Sequence, residues 1–186
     1  MIFVVNGAPG AGKTTFENYV KKIIGDNSCN ILSTVDVVKR IASLCGWDGS
    51  KTPRNRKFLS DLKDLLTEWN DVPFKDIQAR IQDITEEYGY YGADIKNTHI
   101  FFVDCREPEE IKKLCERLGA KSILVTNHNK QLEATSNHAD ANVLNYNYDI
   151  IINNDGTLAD LCDAAFQFLD EVHFDDKLNP WRKKNI

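Results

Sequence analysis

Residues 7–15, GAPGAGKTT, set Gly7, Gly12, Lys13 and Thr14 at the spacing G-x-x-x-x-G-K-S/T. A run of this kind, between a strand and a helix, can wrap its backbone N–H groups around phosphate oxygens. Glycine admits the backbone geometries the turn needs, and the helix that follows adds the positive end of its dipole. Gly7, Ala8, Pro9, Gly10, Ala11, Gly12, Lys13, Thr14 and Thr15 are therefore the expected cradle of a nucleoside triphosphate. Lys13 is placed to reach the β- and γ-phosphates, the Thr14 hydroxyl to ligate Mg²⁺ and Thr15 to donate to the α-phosphate.

Such a site needs a second acid for the metal, usually an Asp at the end of an apolar strand. IFFVD, ending at Asp104, fits, although an Asp there can also cap the next turn. Arg106 follows where the chain leaves the sheet, the usual ligand crevice of open α/β sheets; it can equally pair with Glu109 or Glu110. Lys51, Arg54, Arg56 and Lys57 crowd the start of a helix, where the dipole disfavours cations. A bound phosphate would relieve that repulsion, Arg54 and Arg56 gripping it bidentately and Lys57 acting as a point charge. The other reading is a solvated basic face balanced by Asp61 and Asp64. Asp36 and Lys39 lie one turn apart on one helix face; Asp36 suits either a ligand or the helix dipole.

The elements that must hold these groups follow from periodicity. IFVVN from Ile2 reads as a buried strand, and Phe16, Tyr19, Val20 and Ile23 recur at helical spacing before Gly25. A second strand is expected at 30–34, with Thr34 capping a helix that carries Val37, Val38, Ile41 and Leu44. Two amphipathic helices follow. One, over 55–69, carries Phe58, Leu62, Leu65 and Trp69 on one face; the other, over 73–88, carries Phe74, Ile77, Ile81, Ile84 and Tyr88. HIFFVD, SILVT and YDIII read as further strands, PEEIKKLCERLG as a helix, and Thr157 with Asp160 as a capping box for a last helix through Val172. Trp47, Trp69, Tyr90 and Tyr91 read as packing residues in preference to base-stacking platforms. The alternation implies a three-layer α/β domain over 1–186, mainly parallel and five-stranded, with helices on both faces. The helix pair over 55–88 interrupts the alternation as an inserted lobe within a helical, acceptor-binding region near 36–88, and the aperiodic residues 127–147 are a candidate lid.

Composition narrows the function. A chain of 186 residues with 27% charged residues and a net charge of -5 suits one globular domain and argues against a broad nucleic-acid surface. No apolar run approaches a membrane span, so no membrane partner is expected. The five cysteines form no C-x-x-C pair, which fits a reduced, cytoplasmic setting. A homodimer is compatible with the chain.

Taken with WDGSKTPRNRKFLSDLKDLLTEWND, STVDVVKR, FFVDCREPEEI and NYDIIINNDGTLADL, the glycine loop makes the chain resemble the P-loop nucleoside monophosphate kinase superfamily, in particular its deoxynucleoside monophosphate kinase-like branch. The resemblance implies the three-layer P-loop fold with a helical acceptor region and a donor lid. It implies ATP and Mg²⁺ as cofactors, small-molecule nucleotides as substrates, Asp36, Lys39, Arg54 and Arg56 on the acceptor side, and Asp104 and Arg106 at the catalytic crevice. Lys13, Arg56, Asp104 and Arg106 are then the catalytic set and Thr14 and Asp104 the metal set. One departure stands out: residues 127–147 contain no arginine, only Lys130, whereas lids of this family usually supply one to the migrating phosphoryl group. Two alternatives are a kinase with another phosphorylated metabolite or a nucleoside as acceptor, and an ATP-binding regulatory module. A GTPase switch fits less well, because no N-K-x-D element follows SILVT.

Overall fold

The computed structural model describes residues 1–90, 95–129, 143 and 145–174. Five strands, β1 (Ile2–Asn6), β2 (Cys29–Ser33), β3 (Ile100–Asp104), β4 (Lys121–Thr126) and β5 (Ile150–Asn153), form one all-parallel sheet in the order β2-β3-β1-β4-β5. The helices are α1 (Lys13–Ile24), α2 (Asp36–Leu44), α3 (Pro53–Asn70), α4 (Val72–Tyr90), the short α5 (Ile95–Thr98), α6 (Pro108–Leu118) and α7 (Leu158–Glu171). β1 is central, so the glycine loop that follows it opens at the carboxyl edge of the sheet, between the ends of β3 and β4.

Strand alternation builds two cores. Phe3, Val5, Phe102, Ile123 and Val125 point to one face and pack with Phe16 and Val20 of α1 and Phe168 of α7. Phe168 meets Phe3 and Phe16 edge-on, with ring centroids 5.0 and 5.4 Å apart, the geometry aromatic quadrupoles prefer. Val4, Leu32, Phe101 and Val103 point the other way and pack with Phe74 and Ile77 of α4 and Ile111 and Leu114 of α6. These two cores define the three-layer α/β fold. Among the described residues no helix is long and apolar enough to cross a membrane.

Three details differ from the sequence expectations. Thr34 does not cap α2: it is buried, and its N–H donates to the Asp104 carbonyl at 3.2 Å, while the N-cap position falls to Val35 without a side-chain bond. The cap near this region belongs instead to Thr52, whose hydroxyl accepts from Asn55 N–H at 3.2 Å at the start of α3, with Pro53 in the first turn. The apolar stripe of α3 is not packed. None of its residues is buried; Leu65 is 62% and Trp69 81% exposed, because α3 packs chiefly on α2 and α4. At the far end, the Thr157–Asp160 capping box forms at the start of α7. Tyr91, Lys130, most of the expected lid and the NPWRKKNI tail lie outside the described residues.

Candidate functional site

The loop between β1 and α1 is shaped by contacts that leave no room for side chains at its ends. A Cβ on Gly7 would stand 2.4 Å from the Val125 carbonyl oxygen, and Gly12 holds a left-handed φ of 103° beside the Asn154 amide. Two asparagines pin the loop. Asn154 Nδ2 donates to the Ala11 carbonyl at 2.8 Å, and the fully buried Asn6 accepts from Gly7 N–H at 2.8 Å. Asn6 Nδ2 in turn donates to the Arg106 carbonyl at 3.2 Å and to the Tyr148 hydroxyl at 2.7 Å. One side chain thus fixes the glycine loop to the turn that carries Arg106. Sequence reasoning missed this residue, and its signal was an amide at the last position of an otherwise apolar strand.

Gly12 caps α1 without a side-chain bond, and no acid lies in the first turn. The positive end of the helix is therefore not neutralised from within the helix. Pro9, Gly10 and Thr14 are exposed, Ala8, Gly12, Lys13 and Thr15 half-buried and Ala11 buried, so the loop presents one open side. Lys13 Nζ donates to the Gly7 carbonyl at 2.6 Å, folding back over the loop it serves.

Asp104 ends β3, next to the loop across β1. Burial pushes its carboxyl above the ordinary range. Lys13, Arg106 and Lys39 pull it down, and Asp36 pushes it further up. The same five charges singled out in the sequence are thus brought into one electrostatic group at the sheet edge. Asp104 Oδ1 is buried without a hydrogen-bond partner. A carboxylate oxygen left in that state beside a phosphate loop, with the Thr14 hydroxyl on the neighbouring helix, has the donor chemistry Mg²⁺ takes, so the residues fit the metal.

Two further charged residues enter that sequence reasoning did not single out. Glu17, one turn beyond Lys13 on α1, is fully buried, and neither of its oxygens has a partner. Burial, reinforced by Asp104 and opposed by Lys13, pushes its carboxyl up to about 8. Arg80 of α4 reaches Asp36 at 3.1 Å, and the same Asp36 oxygen accepts from Ser33 N–H at 3.1 Å. The acid between Phe16 and Val20 on an inward helix face was the available signal for Glu17; Arg80 gave none, lying 44 positions from its partner.

The basic cluster is placed differently. Arg54, Arg56 and Lys57 stay at the solvent-exposed start of α3. Lys57 pairs with Asp61 at 2.7 Å, as a solvated face would, and Arg56 Nε donates to the Lys51 carbonyl at 3.1 Å. Arg106 is exposed at the crevice. At the start of the expected lid, His128 Nδ1 lies 2.8 Å from Asp155, fastening that end beside the loop after β5.

No protein-family model matches the chain, and no curated protein matches it in sequence. Among solved structures it is similar to the APS kinase of Mycobacterium tuberculosis, at 12% identity and a TM-score of 0.42 over 91% of this chain and 96% of that one. It is also similar to the dephospho-CoA kinase of Campylobacter jejuni, at 17% identity and a TM-score of 0.46 over 92% of this chain and 96% of that one.

Proposed function

We propose that the protein is an ATP- and Mg²⁺-dependent phosphotransferase that moves the γ-phosphoryl group of ATP to the phosphate of a nucleoside or deoxynucleoside monophosphate. The observation that carries this reading is the gathering of Lys13, Asp104, Arg106, Lys39 and Asp36 around a glycine loop built for phosphates. Phosphoryl transfer asks a protein for alignment and charge neutralisation and for little covalent chemistry. No nucleophilic side chain is needed.

In this reading the loop 7–15 would hold the triphosphate by backbone N–H groups other than those of Gly7 and Ala11, which donate within the protein, and Lys13 would leave the Gly7 carbonyl to meet the β- and γ-oxygens. Thr14 and Asp104 would hold Mg²⁺, which when bound withdraws charge from the phosphate oxygens. Arg106, exposed just past the end of β3, would meet the charge that develops on the migrating group. Asp36 and Lys39 would orient the acceptor, and Arg54, Arg56 and Lys57 would meet its phosphate from the start of α3. Likeness in architecture to two proteins named as kinases is compatible with this reading but identifies no acceptor.

A second acceptor class is favoured by one observation: charges on the acceptor side are already spent internally, Asp36 on Arg80 and Lys57 on Asp61. A different phosphorylated metabolite would then be the acceptor. ADP release from Mg·ATP, measured with each common nucleoside and deoxynucleoside monophosphate, separates the two. Stimulation far above the ATP-only rate, abolished in Lys13→Ala and Arg106→Ala, supports the monophosphate reading. ATP binding with no stimulation by any of them overturns it.

A further inference from the structure

Glu17 is an acid in a place where acids are costly. It is fully buried, flanked on α1 by the core residues Phe16 and Val20, and both carboxylate oxygens lack a hydrogen-bond partner. A carboxylate ionised there without a partner costs several kcal/mol, so its ionised form needs a counter-charge. Its position three and four residues beyond Thr14 and Lys13 puts it under the phosphate loop on the same side of the helix. Asp104 also keeps an unpartnered oxygen; its charge pushes the Glu17 carboxyl up, and Lys13 is the counter-charge that pulls both down. Two acids thus share one lysine, and that lysine also serves the Gly7 carbonyl.

We propose that Glu17 and Asp104 form a carboxylate pair that, with the Thr14 hydroxyl and water, takes a divalent cation before any nucleotide arrives. The assignment rests on the reading of Thr14 and Asp104 as the metal side of the phosphoryl-transfer site; Glu17 and the order of binding are what it adds. A hard divalent ion suits this donor set. Mg²⁺ is usually held by one or two carboxylates and keeps several waters, which phosphate oxygens later replace. Among the described residues no cluster of three or more ligating side chains exists, so the remaining positions belong to water in the nucleotide-free protein. The pair therefore makes a site of two carboxylates that is primed for the metal and completed by ATP.

The test is a Mn²⁺ titration of the full, nucleotide-free chain, followed by the electron paramagnetic resonance signal of free Mn²⁺, with Mg²⁺ as competitor. Wild type should bind one Mn²⁺ per chain that Mg²⁺ displaces. Glu17→Gln, which keeps the side-chain volume and removes the charge, should bind it about tenfold to a hundredfold more weakly. Equal affinity in Glu17→Gln, or no stoichiometric Mn²⁺ in wild type, overturns the proposal. A measurement on wild type alone guards against a variant that fails to fold: millimolar Mn²⁺ without nucleotide should raise the melting temperature, and no rise overturns the proposal. Metal-free ATP binding is measured in parallel. ATP bound without Mn²⁺ binding sinks this inference alone, whereas Mn²⁺ bound without ATP binding sinks the kinase reading and leaves the cation site standing.

Discussion

Ionic contacts tie the acceptor lobe to α6: Lys113 and Arg117 reach Asp71 at 2.6 and 2.9 Å, and a further pair can be cut singly. Lys63 of α3 reaches Glu110 of α6 at 2.5 Å, with side chains only 17% and 18% exposed, and the Cys105 thiol donates to the same Glu110 oxygen at 3.0 Å. Burial pushes the Lys63 ammonium down, but Glu110, helped by Cys105 and Glu107, raises it by more. A raised lysine stabilises the fold fully below its ordinary value, so the pair is at full strength at neutral pH and fades only in strong alkali. Lys63→Met keeps the aliphatic stem and strands Glu110. Removing one partner of a buried pair costs about 3–5 kcal/mol. The neighbouring cleft of about 530 Å³, lined by Lys63, Glu110 and Phe74, lets water reach the stranded carboxylate, which favours the lower end. About 3 kcal/mol at roughly 2–4 °C per kcal/mol lowers the melting temperature by about 6–12 °C in a domain of this size. Lys63→Met/Glu110→Leu should recover to within about 1 kcal/mol of wild type, since apolar replacement of both partners is often neutral. Urea unfolding of the four proteins of the cycle measures this. The reasoning is refuted if Lys63→Met costs less than about 1 kcal/mol, as an exposed pair would, or if the double variant loses the sum of the two singles.

Three other outcomes are expected. Gly12→Ala should cost about 1–3 kcal/mol, because its φ of 103° strains any side chain and its Cβ would displace Asn154 from Ala11; ATP affinity, read by calorimetry, should fall with it, and unchanged affinity would contradict the loop geometry. Trp69→Ser should change stability by no more than about 0.5 kcal/mol, against about 3–5 for a core aromatic, and chemical denaturation separates the two. Acid should weaken the fold through His99, buried beside Asn30 at 2.7 Å and pushed down to about 4 by burial and the Met1 ammonium. A histidine lowered in this way stays neutral when folded while the unfolded chain charges near pH 6.5, so stability falls from there to about pH 4, by about 3 kcal/mol at most. The urea midpoint of His99→Gln should be flatter over that range, and a wild-type slope unchanged by the substitution would refute the assignment.

Local rules reached the elements and the loop, and stopped where contacts become long-range. The strands were legible because β-branched and aromatic runs such as IFVVN and IFFVD leave no other fate for their side chains. The glycine loop was legible because its function is written in consecutive backbone positions. The stripe Phe58, Leu62, Leu65, Trp69 was legible as helix but not as exposed surface: periodicity says that a face is apolar and not what covers it. Arg80 and Asn6 act across 44 and 100 positions, so only folding brings them to Asp36 and to Arg106. Glu17 broke the local pattern outright, an acid on an apolar helix face, and such breaks concentrate where a site needs them.

Charge balance carries the proposed reaction one step further. Once a metal holds Glu17 and Asp104 ionised, the group around Asp104 sets Lys13, Lys39 and Arg106 against Asp36, Asp104 and Glu17, with Arg80 shared between Asp36 and Asp76. A metal taken up by the Glu17–Asp104 pair adds two positive charges and is met by a triphosphate, which exceeds them; the acceptor phosphate then adds negative charge with no surplus cation left in the group. Further cations must come from outside it. Residues 127–147 offer Lys130 and no arginine, so beside Arg80, already paired with Asp36, the exposed Arg54 and Arg56 at the start of α3 are arginines the acceptor lobe offers. Transfer on this account requires α3 to move towards the crevice, and the Lys63–Glu110 contact restrains such a movement together with the Lys113 and Arg117 pairs to Asp71. Cutting it with the double apolar variant should therefore change the KM for the acceptor while leaving ATP affinity as it was; equal effects on both would place the restraint elsewhere.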